Sequence, residues 1–92
     1  MGEKTIVLEV QNLNVQDATL HAVSAAHRYR LGTVAAKSRG TFQIPWESQA
    51  ALRVEIDLLA DGSATTNAVS ASPGDRFQLV VQPDLQLSYL QG

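Results

Sequence analysis

The chain has 92 residues, of which 45% are hydrophobic and 17% charged, and seven basic and nine acidic residues give a formal net charge of −2. This length and composition predict one soluble domain over residues 1–92, with a modest hydrophobic core. The absence of cysteine excludes disulfides, thiolate metal ligands and a cysteine nucleophile. The acidic balance lacks the basic excess of nucleic-acid-binding domains, and no apolar run is long enough to span a bilayer.

Alternation of apolar and polar residues predicts four strands in the first half of the chain, at 5–11, 18–24, 27–34 and 41–44. Asparagine and aspartate between 12 and 17 predict a turn region held by local side-chain hydrogen bonds. The second and third strands form a hairpin, and Ala25-Ala26 favours a loop longer than two residues. Gly32 predicts a bulge or bend in the third strand. A polar, exposed connection is expected over 35–40.

The clearest period in the chain is Leu52-Arg53-Val54-Glu55-Ile56-Asp57-Leu58, which puts apolar and charged residues on opposite faces of a strand. We expect the other strands to pack around it. Trp46 follows Pro45 in a connection and is interpreted as a plug for the open end of the core. Beyond this strand, 65–72 predicts a weak edge strand, Pro73-Gly74 a type II turn, 76–82 another strand and 85–89 a last short one.

Seven or eight short strands without a helical period predict an all-β fold. The preferred architecture is an antiparallel immunoglobulin-like or transthyretin-like β-sandwich, and a small barrel is the alternative. The core is expected to join the apolar face of 52–58 to apolar residues of the first, fourth and 76–82 strands, namely Ile6, Leu8, Val10, Phe42, Ile44, Phe77 and Leu79.

Five segments carry a resemblance to a known group of proteins: 18–23, 28–34, 40–45, 52–57 and 72–79. Gly40-Thr41-Phe42-Gln43-Ile44-Pro45, followed by the alternating strand at Leu52, is the most telling part. The pattern resembles small bacterial envelope lipoproteins with a transthyretin-like or carboxypeptidase-regulatory-like sandwich. The resemblance implies an envelope or secreted location where a leader has been removed, although the acylated cysteine of such lipoproteins is absent. It implies no catalytic residue.

Catalytic and metal-binding patterns are missing from the sequence. The two histidines, His21 and His27, have no metal-ligand spacing and are expected on opposite faces of the hairpin, with His21 solvated. Turn aspartates at 57, 61, 75 and 84 match no calcium loop. Glu55 and Asp57 share a strand face with Arg53, so a solvated outer face explains them. We therefore predict no enzyme, no cofactor and no metal site.

A local concentration of positive charge is the one functional signal. Arg28, Arg30, Lys37 and Arg39 supply four of the seven basic residues within twelve positions, without an intervening acid. They form the candidate interaction surface, and their expected partner is an anionic protein, polymer or lipid-headgroup surface. Nucleic acid is disfavoured because exposed stacking aromatics are not interleaved with the basic residues. A solvated hairpin face with edge-protecting cations is the competing interpretation.

The preferred function is therefore a non-enzymatic binding or structural β-sandwich module, accessory to the bacterial envelope. One alternative is a small enzyme or metal-dependent binder that uses His21 with the turn aspartates. Another is a homo-oligomer that assembles through the weak strand at 65–72, so the expected state is a monomer or a weak homo-oligomer.

Overall fold

The computed structural model describes residues 4–25, 27–60 and 62–92, in which nine strands form two sheets. A 3₁₀ turn at Leu85–Leu87 interrupts them, and no helix in these ranges is long and apolar enough to cross a membrane. The strands are β1 Thr5–Asn12, β2 Ala18–Val23, β3 Arg28–Val34, β4 Arg39–Pro45, β5 Ala50–Leu58, β6 Ser63–Thr65, β7 Val69–Ala71, β8 Arg76–Val81 and β9 Tyr89–Gln91.

The two sheets face each other across one core and so confirm the predicted all-β sandwich. One sheet has the order β4-β1-β8-β9; the other has the order β3-β2-β5-β6, and β7 pairs with the first residues of β5. We call them the four-stranded and the five-stranded sheet. Pairing is antiparallel except between β1 and β8, which run parallel. The parallel pair joins strands far apart in sequence, which local alternation does not predict.

The core is built on β5, as its alternation predicts. Leu52, Val54 and Ile56 are fully buried, because β2 on one side and the short strands β6 and β7 on the other close this strand into the sheet. The facing sheet contributes the predicted residues Ile6, Leu8, Val10, Ile44, Phe77 and Leu79. Two predicted core residues are only half-buried: Phe42 lies on the edge strand β4, and Leu58 lies at the end of β5.

The β2–β3 hairpin contains the bulge predicted for its second strand. Leu20 pairs with Gly32 and His21 with Arg30, which leaves Leu31 as the extra residue of β3. Gly32 has φ +141°, a backbone conformation that favours glycine over residues with a side chain. Residues 24–27 separate β2 from β3, and Ser24 N donates to His27 O at 2.8 Å across this connection; Ala26 lies outside the described residues.

Three local predictions were wrong. The connection expected over 35–40 ends at Ser38, because Arg39 and Gly40 already pair with β1. Within the segment 65–72 only Thr65, the last residue of β6, and the three residues of β7 are in strands, and the buried Thr66 between them accepts a hydrogen bond from Val54 N through its hydroxyl. The strand expected at 85–89 is a 3₁₀ turn followed by β9, which buries Leu90 and leaves Tyr89 exposed.

Polar and aromatic side chains close the two ends of the sandwich. At one end, which we call the loop pole, the buried Asn12 side chain donates to Gln16 O, Val34 O and Ala35 O and thereby joins the β1–β2 and β3–β4 loops. At the opposite end Trp46 is 4% exposed, and its indole Nε1 donates to Ala71 O at 3.0 Å. The interpretation of Trp46 as a plug is confirmed.

Candidate functional site: an arginine face

The outer surface of the five-stranded sheet gathers charged residues from strands that are distant in sequence. Alternation turns Arg28 and Arg30 of β3 and Arg53 of β5 towards solvent. The central strand β2 lies between them, and its Val23 pairs with both Arg28 and Arg53. Strands two positions apart in a sheet lie about 10 Å from each other. We call the surface formed by Arg28, Arg30 and Arg53 the arginine face.

An ion pair crosses the middle of this face. Arg28 reaches diagonally over β2 to Glu55. The Arg28 guanidinium donates a hydrogen bond to Glu55 Oε1 at 2.8 Å. Both side chains are partly solvated, with relative exposures of 56% and 33%, so the pair contributes only about 0–1 kcal/mol to stability. The interpretation of Glu55 as part of a solvated, charge-mixed face agrees with this geometry.

The other two arginines are free to bind a partner. Arg30 and Arg53 are exposed, and neither forms an ion pair or a side-chain hydrogen bond with the described residues. They lie on either side of β2, in neighbouring rows of the sheet. Arg30 and Arg53 therefore flank the Arg28–Glu55 pair, and neither is ion-paired within the described residues.

His21 forms the floor of the arginine face and is less exposed than the sequence predicts. It pairs with Arg30 on one side and Glu55 on the other, and it is half-buried rather than solvated. Its Nδ1 is buried without a hydrogen-bond partner among the described residues. The burial of His21 is explained by the Arg28–Glu55 ion pair, whose two side chains are longer and cross the face beside it. His27, by contrast, is exposed in the β2–β3 loop, with its ring centroid 5.5 Å from that of Tyr29.

The remaining two members of the predicted basic surface lie elsewhere. Lys37, at φ 60°, belongs to the β3–β4 loop, and its Nζ donates to Leu13 O at 2.7 Å. Arg39 opens β4 and projects from the outer surface of the four-stranded sheet. The structure therefore brings Arg28 and Arg30 together but separates them from Arg39 by the thickness of the sandwich. In their place it adds Arg53, whose outward direction followed from alternation but whose neighbours depended on strand order.

The three turn aspartates that the structure describes do not converge on one point. Asp75 Oδ2 accepts from Ser72 N at 2.9 Å in the β7–β8 turn, and Asp84 Oδ1 accepts from Gln86 N at the loop pole. Asp57 is exposed on β5, and Asp61 lies outside the described residues. Within residues 4–25, 27–60 and 62–92, no group of three or more histidine, aspartate or glutamate side chains could hold a metal ion.

We expect the melting temperature to be unchanged by a chelator and by micromolar zinc or calcium. An ion that binds only the folded state raises stability through mass action, and the described aspartates instead form ordinary turn contacts. Differential scanning calorimetry with and without each ion checks this. A saturable rise in melting temperature with either ion would contradict this prediction, because it would show that the folded domain has a metal site.

The arginine face is thus defined by the register of three strands and by the charges they carry. Comparison of the chain with protein-family models and with curated proteins gives no match.

Proposed function

We propose that this chain is a non-enzymatic binding module that holds an anionic partner against its arginine face. The observation that carries the proposal is the pair of exposed arginines, Arg30 and Arg53, that have no acidic partner among the described residues in a chain of net charge −2. Unpaired cations on a protein that is acidic overall create a local potential that attracts and orients an anionic surface.

The chemistry of arginine suits this task. Its planar guanidinium donates two parallel hydrogen bonds to a carboxylate, sulfate or phosphate group, and it stays protonated at every physiological pH. Arg28 and Arg30 are two residues apart on β3, about 7 Å along the strand, a distance that fits successive anionic groups of a polymer or headgroup layer. Because Arg28 is already paired with Glu55, the unpaired charges available to the partner are those of Arg30 and Arg53.

We further propose that the partner is an anionic polymer or a layer of lipid headgroups in the bacterial envelope, in keeping with the resemblance of segments 18–79 to envelope domains. A nucleic acid fits the face poorly, because base stacking requires exposed aromatic side chains. The aromatic residue of β3, Tyr29, is half-buried and packs against the core instead.

The test compares two double variants with the same change in net charge. Arg30→Glu/Arg53→Glu reverses the unpaired cations of the arginine face, whereas Lys37→Glu/Arg39→Glu reverses cations outside it. Binding is measured by titration with dextran sulfate and, in a separate arm, with vesicles containing phosphatidylglycerol. Each arm is run at about 0.02 M and about 0.15 M salt, since exposed charges are screened as ionic strength rises.

We expect the parent and the Lys37→Glu/Arg39→Glu variant to bind more tightly at the lower salt concentration, and the Arg30→Glu/Arg53→Glu variant to lose at least about tenfold in affinity. The arm in which binding occurs identifies polymer or headgroup as the source of the anionic groups. Equal binding by both variants, or an affinity that is the same at both salt concentrations, contradicts the proposal. Circular dichroism must first show that the variants keep the parent fold.

A further inference from the structure

The outer surface of the four-stranded sheet has a chemistry different from that of the arginine face. Every glutamine within a described strand projects from this surface: Gln11 of β1, Gln43 of β4, Gln78 of β8 and Gln91 of β9. The described strands of the other sheet contain none. We call the surface formed by these four residues the amide face.

Strand register places the amides beside other polar groups and one exposed aromatic ring. Glu9 lies between Thr41 and Gln78, and Gln78 pairs in turn with Gln91. In the next row Gln11 lies between Arg39 and Val80, and Val80 pairs with Tyr89. Each row crosses four strands, a width of roughly 14 Å. The face therefore repeats hydrogen-bonding groups across a surface long enough for an extended ligand.

A shallow depression of about 360 Å³ lies in the middle of this surface. Outward side chains on its wall come from Glu9, Gln11, Arg39, Thr41, Gln78 and Val80. Gly40, which has no side chain, also lines the depression. A Cβ added to Gly40 would lie 3.0 Å from Cγ2 of Val34. Five of these six outward side chains carry a polar group, so the depression offers hydrogen-bonding partners to a polar ligand.

The hydrogen-bonding groups of the amide face are not used by the described part of the protein. The side chains of all four glutamines, of Thr41 and of Arg39 form no hydrogen bond with the part of the chain that the structure describes. Glu9 is the exception, since it accepts from Arg76 in a surface ion pair. By contrast, two amides outside this face, Gln49 and Gln86, are bonded to Ser70 and Ser63.

We propose that the amide face binds a neutral oligosaccharide. A sugar hydroxyl both donates and accepts hydrogen bonds, and a glutamine amide offers both functions on one side chain, whereas arginine only donates and an ionised carboxylate only accepts. Tyr89, 44% exposed at the end of the Gln11 row, presents an amphipathic ring against which the C–H face of a sugar packs. The ligand lies across the strands, along the rows that lead from β4 to β9.

Nuclear magnetic resonance tests this directly, because side-chain NH₂ groups of glutamine give their own signals. The ¹⁵N-labelled protein is titrated separately with cellohexaose, maltohexaose and the hexamer of β-1,4-linked N-acetylglucosamine. We expect saturable shifts of the Gln11, Gln78 and Gln91 side-chain signals with at least one of the three. The affinity should be the same at about 0.02 M and about 0.15 M salt, since a neutral ligand carries no charge to screen.

The variants Gln11→Ala/Gln78→Ala and Tyr89→Ala are expected to bind that oligosaccharide at least about tenfold more weakly. The matched control is Gln86→Ala, which removes one amide at the loop pole and should bind like the parent. These positions lie outside the core, so we expect each variant to fold. The backbone amide spectrum of each variant checks this. The proposal is overturned if none of the three sugars shifts the glutamine signals up to about 5 mM, or if the variants and the parent bind alike.

Discussion

Replacing Val54 with aspartate is expected to prevent the domain from folding. Val54 is fully buried, its strand is paired on both sides, and the core cluster formed by the described residues around it contains no cation. A carboxylate there loses its hydration without gaining a partner, which costs several kcal/mol. Domains of this size have total stabilities near the lower end of about 5–15 kcal/mol, so the loss is comparable to the whole. Circular dichroism and urea titration measure it.

The neighbouring substitution Glu55→Gln is the matched control. Glu55 points to the opposite side of the same strand, and its contact with Arg28 is a partly solvated ion pair. We expect a change in the free energy of unfolding of no more than about 0.5 kcal/mol. If the two variants unfolded alike, the inward direction assigned to Val54 would be wrong.

Replacing Asn12 with alanine is expected to destabilise the domain by roughly 3 kcal/mol or more, because buried hydrogen bonds contribute about 1 kcal/mol each and unpaired buried groups cost more. The Asn12 side chain is fully buried, donates to three backbone carbonyls and accepts from Asn14 N at 2.9 Å. Its removal leaves two loops without their common anchor. The measurement is the free energy of unfolding from urea titration.

Asn67→Ala is the matched control for this second prediction. Asn67 also bonds to the backbone through its side chain, donating to Leu90 O and accepting from Leu90 N, but the residue itself is exposed. Water can replace these bonds once the amide is gone, so we expect a loss of only about 1 kcal/mol. A similar loss for both asparagines would mean that the buried network at the loop pole does not hold the loops.

Strand faces were predictable from the sequence wherever one side of a strand is buried and the other is solvated. The alternation in β1, β5 and β8 predicted which side chains enter the core, since successive residues of a strand point to opposite sides. The same rule predicted the outward direction of Arg28 and Arg30. The rule failed in segments that have small residues or an irregular pattern. There, two three-residue strands and a 3₁₀ turn replaced the predicted strands.

Neither candidate surface follows from these faces alone. The sequence grouped Arg28 and Arg30 with Lys37 and Arg39 because they are close along the chain. The fold separates them, because β3 and β4 are consecutive strands that join different sheets. Arg53 is a neighbour of Arg28 only because β2 lies between β3 and β5.

By itself, then, the sequence determined the all-β class, the inward and outward sides of the main strands, the Gly32 bulge and the inward place of Trp46. These are consequences of local chemistry: side-chain period, backbone freedom and the burial of large apolar groups. Only the tertiary structure decided which outward residues meet. The parallel pairing of β1 with β8 assembled the amides Gln11 and Gln78, and the central place of β2 assembled the arginines. Strand order depends on long-range pairing across the whole chain, and a period of two residues carries no information about it.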